Sequence, residues 1–155
     1  MIDITKIDLI VFDFDGVLTD NKVLVDQNGN ESVSCSRSDG LGFDVLKILR
    51  KSAYIISTEK NLVVSARAKK LNIPVLQGVR DKSHIIKNIS KEKNVKLSKI
   101  LFVGNDLNDY YAMQLCGYSA CPSDSHPKIK DIASFVLKTK GGNGVLRELL
   151  EEVFE

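Results

Sequence analysis

DLIVFDFDGVLTD, residues 8–20, joins an apolar run to two closely spaced carboxylates, Asp13 and Asp15, and then to a Gly-Val-Leu-Thr-Asp turn. A continuous β-branched and aromatic run is how a strand buried on both faces of a parallel sheet reads. In open sheets of that kind, ligands collect beyond the carboxyl ends of the strands. The pattern predicts a strand over Leu9 to Phe14 that delivers both acids to a site. Along a strand, residues i and i+2 share a face, so the two carboxylates converge on one ligand. Like charges held that close need a cation or a shared proton between them.

Working outward, Lys22 to Val25 and Glu31 to Ser34 flank a polar segment with Asn28-Gly29 at its tip, which predicts a projecting β-hairpin. Ser38-Asp39-Gly40 then precedes Leu41, Phe43, Val45, Leu46 and Leu49, the spacing of an amphipathic helix behind a polar cap, ending near Ser52. Beyond it the pattern predicts strands over Ala53 to Ser57, Val75 to Gln77, Ile100 to Val103, Tyr118 to Ala120 and Phe135 to Leu137. Helices are predicted over Asn61 to Leu71, Asp81 to Lys93, Leu107 to Leu115 and Val145 to Phe154, the last with Leu146, Leu149, Leu150 and Val153 inward. Strands alternating with helices imply βαβ units, hence an α/β fold of three layers around a central, mainly parallel sheet.

The chain has 155 residues, 43% hydrophobic and 27% charged, enough for one domain with a continuous core. No repeat, linker or low-complexity segment divides residues 1–155. A formal charge of +2 arises from 22 basic and 20 acidic residues without a long block of either sign, so neither nucleic acid nor a membrane surface is the expected partner. No apolar stretch approaches a membrane span of about 20 residues, and MIDITKID lacks the pattern of a signal peptide, so the expected location is the cytoplasm. Cys35, Cys116 and Cys121 are odd in number and hold no Cys-x-x-Cys pair, which argues for reduced, structural thiols. His84 and His126 lack metal-ligand spacing and read as surface residues.

The chemistry-bearing residues gather at predicted strand ends or helix starts: Asp13 and Asp15, Ser57, Lys82, and Gly104-Asn105-Asp106-Leu107-Asn108-Asp109. Carboxylates, a hydroxyl, an ammonium and a second acidic cluster match phosphoryl transfer, in which oxygen ligands hold Mg²⁺ and donors neutralise the transferring group. An aspartate can itself be the nucleophile. In that scheme Asp13 attacks phosphorus, Asp15 protonates the leaving alkoxide and later activates water, and Ser57 with Lys82 holds the phosphoryl oxygens. The ordinary alternatives are a helix cap for Ser57, a surface ion pair with Asp81 for Lys82, and a solvated helix face for Glu59, Arg67 and Lys70. For Gly141, Gly142 and Gly144 the alternative is a plain turn, and for Arg147 an ion pair with Glu151.

FDFDGVLTD, Ser57, Lys82 and GNDLND, in that order, resemble the motifs of the haloacid dehalogenase superfamily. More narrowly, the chain resembles the capless 3-deoxy-D-manno-octulosonate 8-phosphate phosphatases and their sialic-acid-pathway relatives. The residues that carry this are DGVLTD, Ser38-Asp39-Gly40, STEKNLVVSARAKKL (57–71), QGVRDK (77–82) and KGGNGVLRE (140–148). The resemblance implies that Asp13 is nucleophile and Mg²⁺ ligand, that Asp15 is general acid/base and offers its backbone carbonyl to the metal, and that Ser57 and Lys82 bind phosphate. Where that family carries the first acid of GDD, this chain has Asn105; an amide oxygen still ligates a hard cation, but with one charge fewer. Asp106 and Asp109 are the residues placed to compensate.

Residues 16–56 and the stretch from Ser57 to Lys82 leave no room for a cap domain. An open site calls for a large substrate or a neighbouring subunit as its lid, and the resemblance implies a homotetramer whose hairpins border adjacent sites. It also implies the substrate class. Octulosonate phosphatases have Arg in a TGR sequence where this chain has Glu59, whereas relatives acting on nine-carbon acids resemble it in Glu59 and Lys70, favouring a nonulosonate 9-phosphate. Arg67, Lys70 and Arg147 are the candidates for the sugar carboxylate. A non-catalytic oligomerisation module is the rival reading. It is favoured by Asn105 and opposed by the intact Asp13 and Asp15. A receiver-type phosphoacceptor, which has no use for a second acid, is a more distant one.

Overall fold

The computed structural model describes residues 2–153. In chain order the elements are β1 (Leu9–Phe12), β2 (Leu24–Val25), β3 (Glu31–Ser32), α1 (Arg37–Ile48), β4 (Ser52–Ile56), α2 (Leu62–Leu71), β5 (Val75–Leu76) and α3 (Lys82–Glu92). They continue with β6 (Ile100–Val103), α4 (Tyr110–Leu115), β7 (Tyr118–Cys121), α5 (Pro127–Ile132), β8 (Phe135–Val136) and α6 (Val145–Leu149). Six strands form one sheet in the order β5-β4-β1-β6-β7-β8, every neighbouring pair parallel. From β1 the chain winds out one way through β4 and β5, then returns to β6 and winds out the other way. The carboxyl ends of β1 and β6 therefore meet where the winding reverses, which is where such sheets bind ligands.

The strict side-chain alternation of a strand divides the core in two. Ile10 and Phe12 face a cluster with Phe43 and Leu46 of α1, Val64, Ala68 and Leu71 of α2, and Leu146 and Leu149 of α6. Leu9 and Val11 face the other side, with Ile86 and Ile89 of α3, Ala112 and Met113 of α4, and Ile129 of α5. Phe12 and Phe43 meet edge to face at 5.1 Å, fixing α1 against the central strand. Both faces of the sheet are thus covered, as the unbroken apolar run of residues 9–12 requires. No helix among the described residues is long and apolar enough to cross a membrane.

The hairpin forms as expected but is shorter, with Leu24 opposite Ser32 and Val25 opposite Glu31. Its turn closes through Asp26 N–H donating to the Asn30 carbonyl at 3.1 Å, with Gly29 alone at positive φ (+81°). Most other differences lie at element ends. β1 stops at Phe12, so Asp13 and Asp15 sit on the turn that follows and not on the strand. The cap of α1 is Ser36, whose hydroxyl accepts the Ser38 amide, which frees Asp39 for a partner far along the chain. Asn61 and Asp81 are the caps of α2 and α3. Leu107–Asp109 forms a 3-10 turn ahead of α4. α5 is not among the expected helices and carries no sequence mark beyond Pro127 at its first turn behind the capping His126. The expected final helix is broken into α6 and a 3-10 turn at Glu151–Val153, and Val153, expected inward, is exposed. Phe154 lies outside the described residues.

Candidate active site

Asp13 continues the β1–β6 ladder for one residue, its amide donating to the Val103 carbonyl at 2.9 Å, so its carboxylate is held at the mouth of the sheet. Asp13 Oδ1 accepts the Phe14 amide at 2.7 Å and pairs with Lys82 Nζ at 2.9 Å. Lys82 opens α3 and also reaches Asp109 Oδ1 at 2.6 Å. Asp109 Oδ2 in turn accepts the amides of Asn105 at 2.9 Å and Asp106 at 3.3 Å, which ties the β6 loop to the ammonium. All three charged residues are buried. Lys82 is therefore not a surface partner of Asp81, whose carboxylate caps α3 at the His84 amide.

Two carboxylates sharing one ammonium leave a buried net charge of −1. Burial pushes Asp13 up, Asp109 adds to this, and Lys82 and the Phe14 amide oppose it; the outcome is about 8. For Lys82, burial acts downward, but Asp13 and Asp109 outweigh it and hold the ammonium above its ordinary range. A second cation beside Asp13 is what such a charge balance favours.

The donors for one are in place. One end of the Asn105 side-chain amide lies 2.9 Å from the Asp15 carbonyl oxygen and 3.1 Å from Asp13 Oδ2. With nitrogen at that end, the amide donates to both. With oxygen there, three oxygens face one point, and a hard cation is the group that joins them. Among the described residues no three His, Cys, Asp or Glu side chains converge, so a cation at this corner would rely on an amide oxygen and a backbone carbonyl beside Asp13. Gly16 makes the approach possible, because a Cβ there would lie 1.9 Å from the Asn105 amide nitrogen. Asp106 lines the same cleft while its Oδ1 accepts the Leu107 amide at 2.7 Å as the cap of the 3-10 turn.

The corner opens into a cleft of about 270 Å³ lined by Asp13, Asp15, Glu31, Glu59, Asn105 and Asp106 among others. Burial raises the Asp15 carboxyl, with Glu59 the next contributor, which suits an acid that must hold a proton. Ser57 is buried behind the wall, its hydroxyl accepting the Glu59 amide at 3.1 Å, and Thr58 and Glu59 present the surface. Asn108, of the 104–109 cluster, lines the cleft as well, whereas Thr58 and Glu31 are cleft residues that the sequence motifs do not mark, although Thr58 adjoins Ser57. Glu31 reaches the cleft because the hairpin folds back over it, where its carboxylate accepts from Asn61 at 3.1 Å.

Of the four substrate-binding candidates only Glu59 lines this cleft. Arg67 and Lys70 line a separate depression between α1 and α2 together with Arg37 and Asp44, and Arg67 donates to the Ser36 carbonyl at 3.1 Å. Asn61, the α2 cap, borders the cleft, and each residue further along a helix moves about 1.5 Å away, so positions 67 and 70 are carried off. Arg147 is on α6 against α1 and is likewise not a cleft residue.

This site stands in a chain with close relatives. It is 30% identical over 147 residues to the 3-deoxy-D-manno-octulosonate 8-phosphate phosphatase of Escherichia coli K12, covering 94% of this chain and 78% of that one. A protein from Streptomyces avermitilis assigned to the HAD hydrolases superposes with a TM-score of 0.94 at 39% identity, over 97% of this chain and 86% of the other. A Moraxella catarrhalis 3-deoxy-D-manno-octulosonate 8-phosphate phosphatase, solved with a magnesium ion, a phosphate ion and a KDO molecule, superposes with a TM-score of 0.92 at 28% identity, over 97% and 87%. Residues 44–149 match the family model of the haloacid dehalogenase-like hydrolases, and the chain belongs to that family.

Proposed function

We propose that the chain is a Mg²⁺-dependent phosphatase that hydrolyses the phosphate monoester of a sugar acid through an aspartyl phosphate on Asp13. The supporting observation is the division of labour at that one carboxylate: Oδ1 lies against Lys82 and the Phe14 amide, and Oδ2 against the Asn105 corner. Asp13, the Asp15 carbonyl and Asn105 would hold the cation, which when bound supplies positive charge to the phosphoryl oxygens. Lys82 opposes the burial that raises the Asp13 carboxyl and holds it in place, and the cation would add to that opposition. Asp13 attacks phosphorus, the bond from phosphorus to the sugar oxygen breaks, and Asp15 gives its proton to that oxygen. Asp15 then takes a proton from water, whose oxygen attacks phosphorus and releases Asp13 and inorganic phosphate.

The named relatives support an octulosonate 8-phosphate as substrate. Glu59, a cleft residue where octulosonate phosphatases carry Arg, supports a nonulosonate 9-phosphate. A homo-oligomer, a tetramer by the family resemblance, completes the reading. Val23, Leu24 and Val25 of the hairpin are 52%, 75% and 55% exposed, an apolar edge that a second copy would cover and that would close the open cleft. Asn105 favours the alternative of a weakly catalytic oligomerisation module.

Phosphate release from both sugar-acid phosphates with Mg²⁺ tests these readings, using wild type, Asp13→Asn and Asn105→Asp. Turnover by wild type that Asp13→Asn abolishes is the expected result. No turnover by wild type or by Asn105→Asp would replace the phosphatase with the module.

A further inference from the structure

We infer that the glycine strap at Gly141-Gly142 is a positioning element for the cation corner, holding the Asp15 carbonyl and the Asn105 amide in place through the turn at residues 16–20. This rests on the reading of that corner as a divalent-cation site.

The strap lies directly against the back of the turn that follows β1. The Gly142 amide donates to the Val17 carbonyl at 2.9 Å. A Cβ on Gly141 would lie 2.1 Å from the Gly16 carbonyl oxygen and 2.9 Å from that of Thr19, and one on Gly142 would lie 2.6 Å from the Asp20 amide nitrogen. These are backbone atoms, so no side chain can swing aside to make room. On its other side the same Gly16 meets the Asn105 amide with no Cβ between them. Strap, turn and ligand are thus stacked backbone to backbone to side chain, and a displacement of the strap passes to Asn105 and to the Asp15–Gly16 peptide.

Both ends of the strap are anchored to other parts of the fold. The Gly141 amide donates to Asp124 Oδ1 at 2.9 Å, in the loop after β7. Past Gly144, the Leu146 amide donates at 2.8 Å to Asp39 of α1, a carboxylate only 2% exposed. Glu148 returns to accept the Lys138 and Thr139 amides at 2.9 and 2.7 Å. A segment that only terminated the fold would need none of this close approach to the acid-bearing turn.

The test is Mg²⁺ affinity by calorimetry, read beside thermal unfolding without metal, for wild type, Gly141→Ala, Asp124→Ala and Leu149→Ala. Leu149 of α6 is a core residue that borders the same depression as Ile2 and Phe135 and controls for general destabilisation. Gly141→Ala and Asp124→Ala are expected to weaken Mg²⁺ binding about tenfold or more, the scale of losing an outer-shell support, while Leu149→Ala lowers the melting temperature and leaves affinity unchanged. Asp124→Ala adds no atoms to the strap and carries the test if Gly141→Ala does not fold. Wild-type affinity in the folded strap variants, or equal losses in Leu149→Ala, would overturn the inference. Failure of wild type itself to bind Mg²⁺ would remove the cation site, and with it the proposed reaction.

Discussion

Lys82 stands closer to Asp109, at 2.6 Å, than to Asp13, at 2.9 Å, so the acid outside the cleft lining makes the shorter of the two ion pairs that share the ammonium. Asp109 also accepts two amides of the β6 loop. It therefore couples the placement of Lys82 to the placement of Asn105.

Removing Asp109 should show both roles. Asp109→Ala leaves the buried Asn105 amide and the part-buried Asp106 amide without their acceptor and Lys82 with one partner, and breaking a buried pair in this way costs about 3 kcal/mol. Urea unfolding without metal measures the loss. Asp109→Asn, which keeps an acceptor oxygen, should retain most of the stability while turnover falls.

Asn105→Asp should act in opposite directions with and without metal. A further carboxylate beside Asp13 adds repulsion to a corner already carrying net negative charge, so the metal-free melting temperature should fall. The same charge should tighten Mg²⁺ binding about tenfold or more, since charge at first-coordination distance is worth several kcal/mol before desolvation is subtracted. Calorimetry and metal-free melting give both signs; equal affinities would show that the amide serves as well as an acid here.

The pH dependence of stability should carry a signature of Asp39. Burial raises its carboxyl above 3.8, with the Leu146 amide the main opposing influence. A raised acid lends its stability fully below its unfolded value and loses it as the pH rises through the folded value. Asp39→Asn, which does not ionise, should therefore gain on wild type as the pH climbs from about 4. Unfolding free energies across that range check this, and a difference independent of pH would contradict it.

Arg67→Ala and Lys70→Ala separate a site within one chain from a site shared between copies. Both residues lie in the depression between α1 and α2, not in the cleft of their own chain. Hydrolysis of a small aryl phosphate should stay within about twofold of wild type, as for surface changes away from the reacting groups. A raised KM confined to the sugar-acid substrate would show that a neighbouring copy delivers these cations.

Much of this architecture is legible locally. The run at residues 9–12 reads as a strand buried on both faces, the habit of parallel sheets between helix layers, and the carboxyl end of such a strand is the natural position for acids. Element ends were less legible because a cap is decided by one hydrogen bond. The polar run Ser38-Asp39-Gly40 suggests a cap there, yet the cap is Ser36, and Asp39 instead accepts the Leu146 amide from the far end of the chain. The short α5 escaped notice because six residues hold too little periodicity to register.

Family resemblance names Lys82 and Asn105 as companions of the paired acids, while the chain by itself declares an α/β sheet with those two acids at its switch point. Those facts depend on periodicity and residue type, which are properties of the chain itself. Tertiary structure alone decides that Lys82 is buried between two carboxylates, that Arg67 and Lys70 lie outside the cleft, and that Gly141 and Gly142 press on the acid-bearing turn. Each of these is a contact between segments far apart in sequence, set by how layers pack and which amides remain to be satisfied, and no local pattern encodes it.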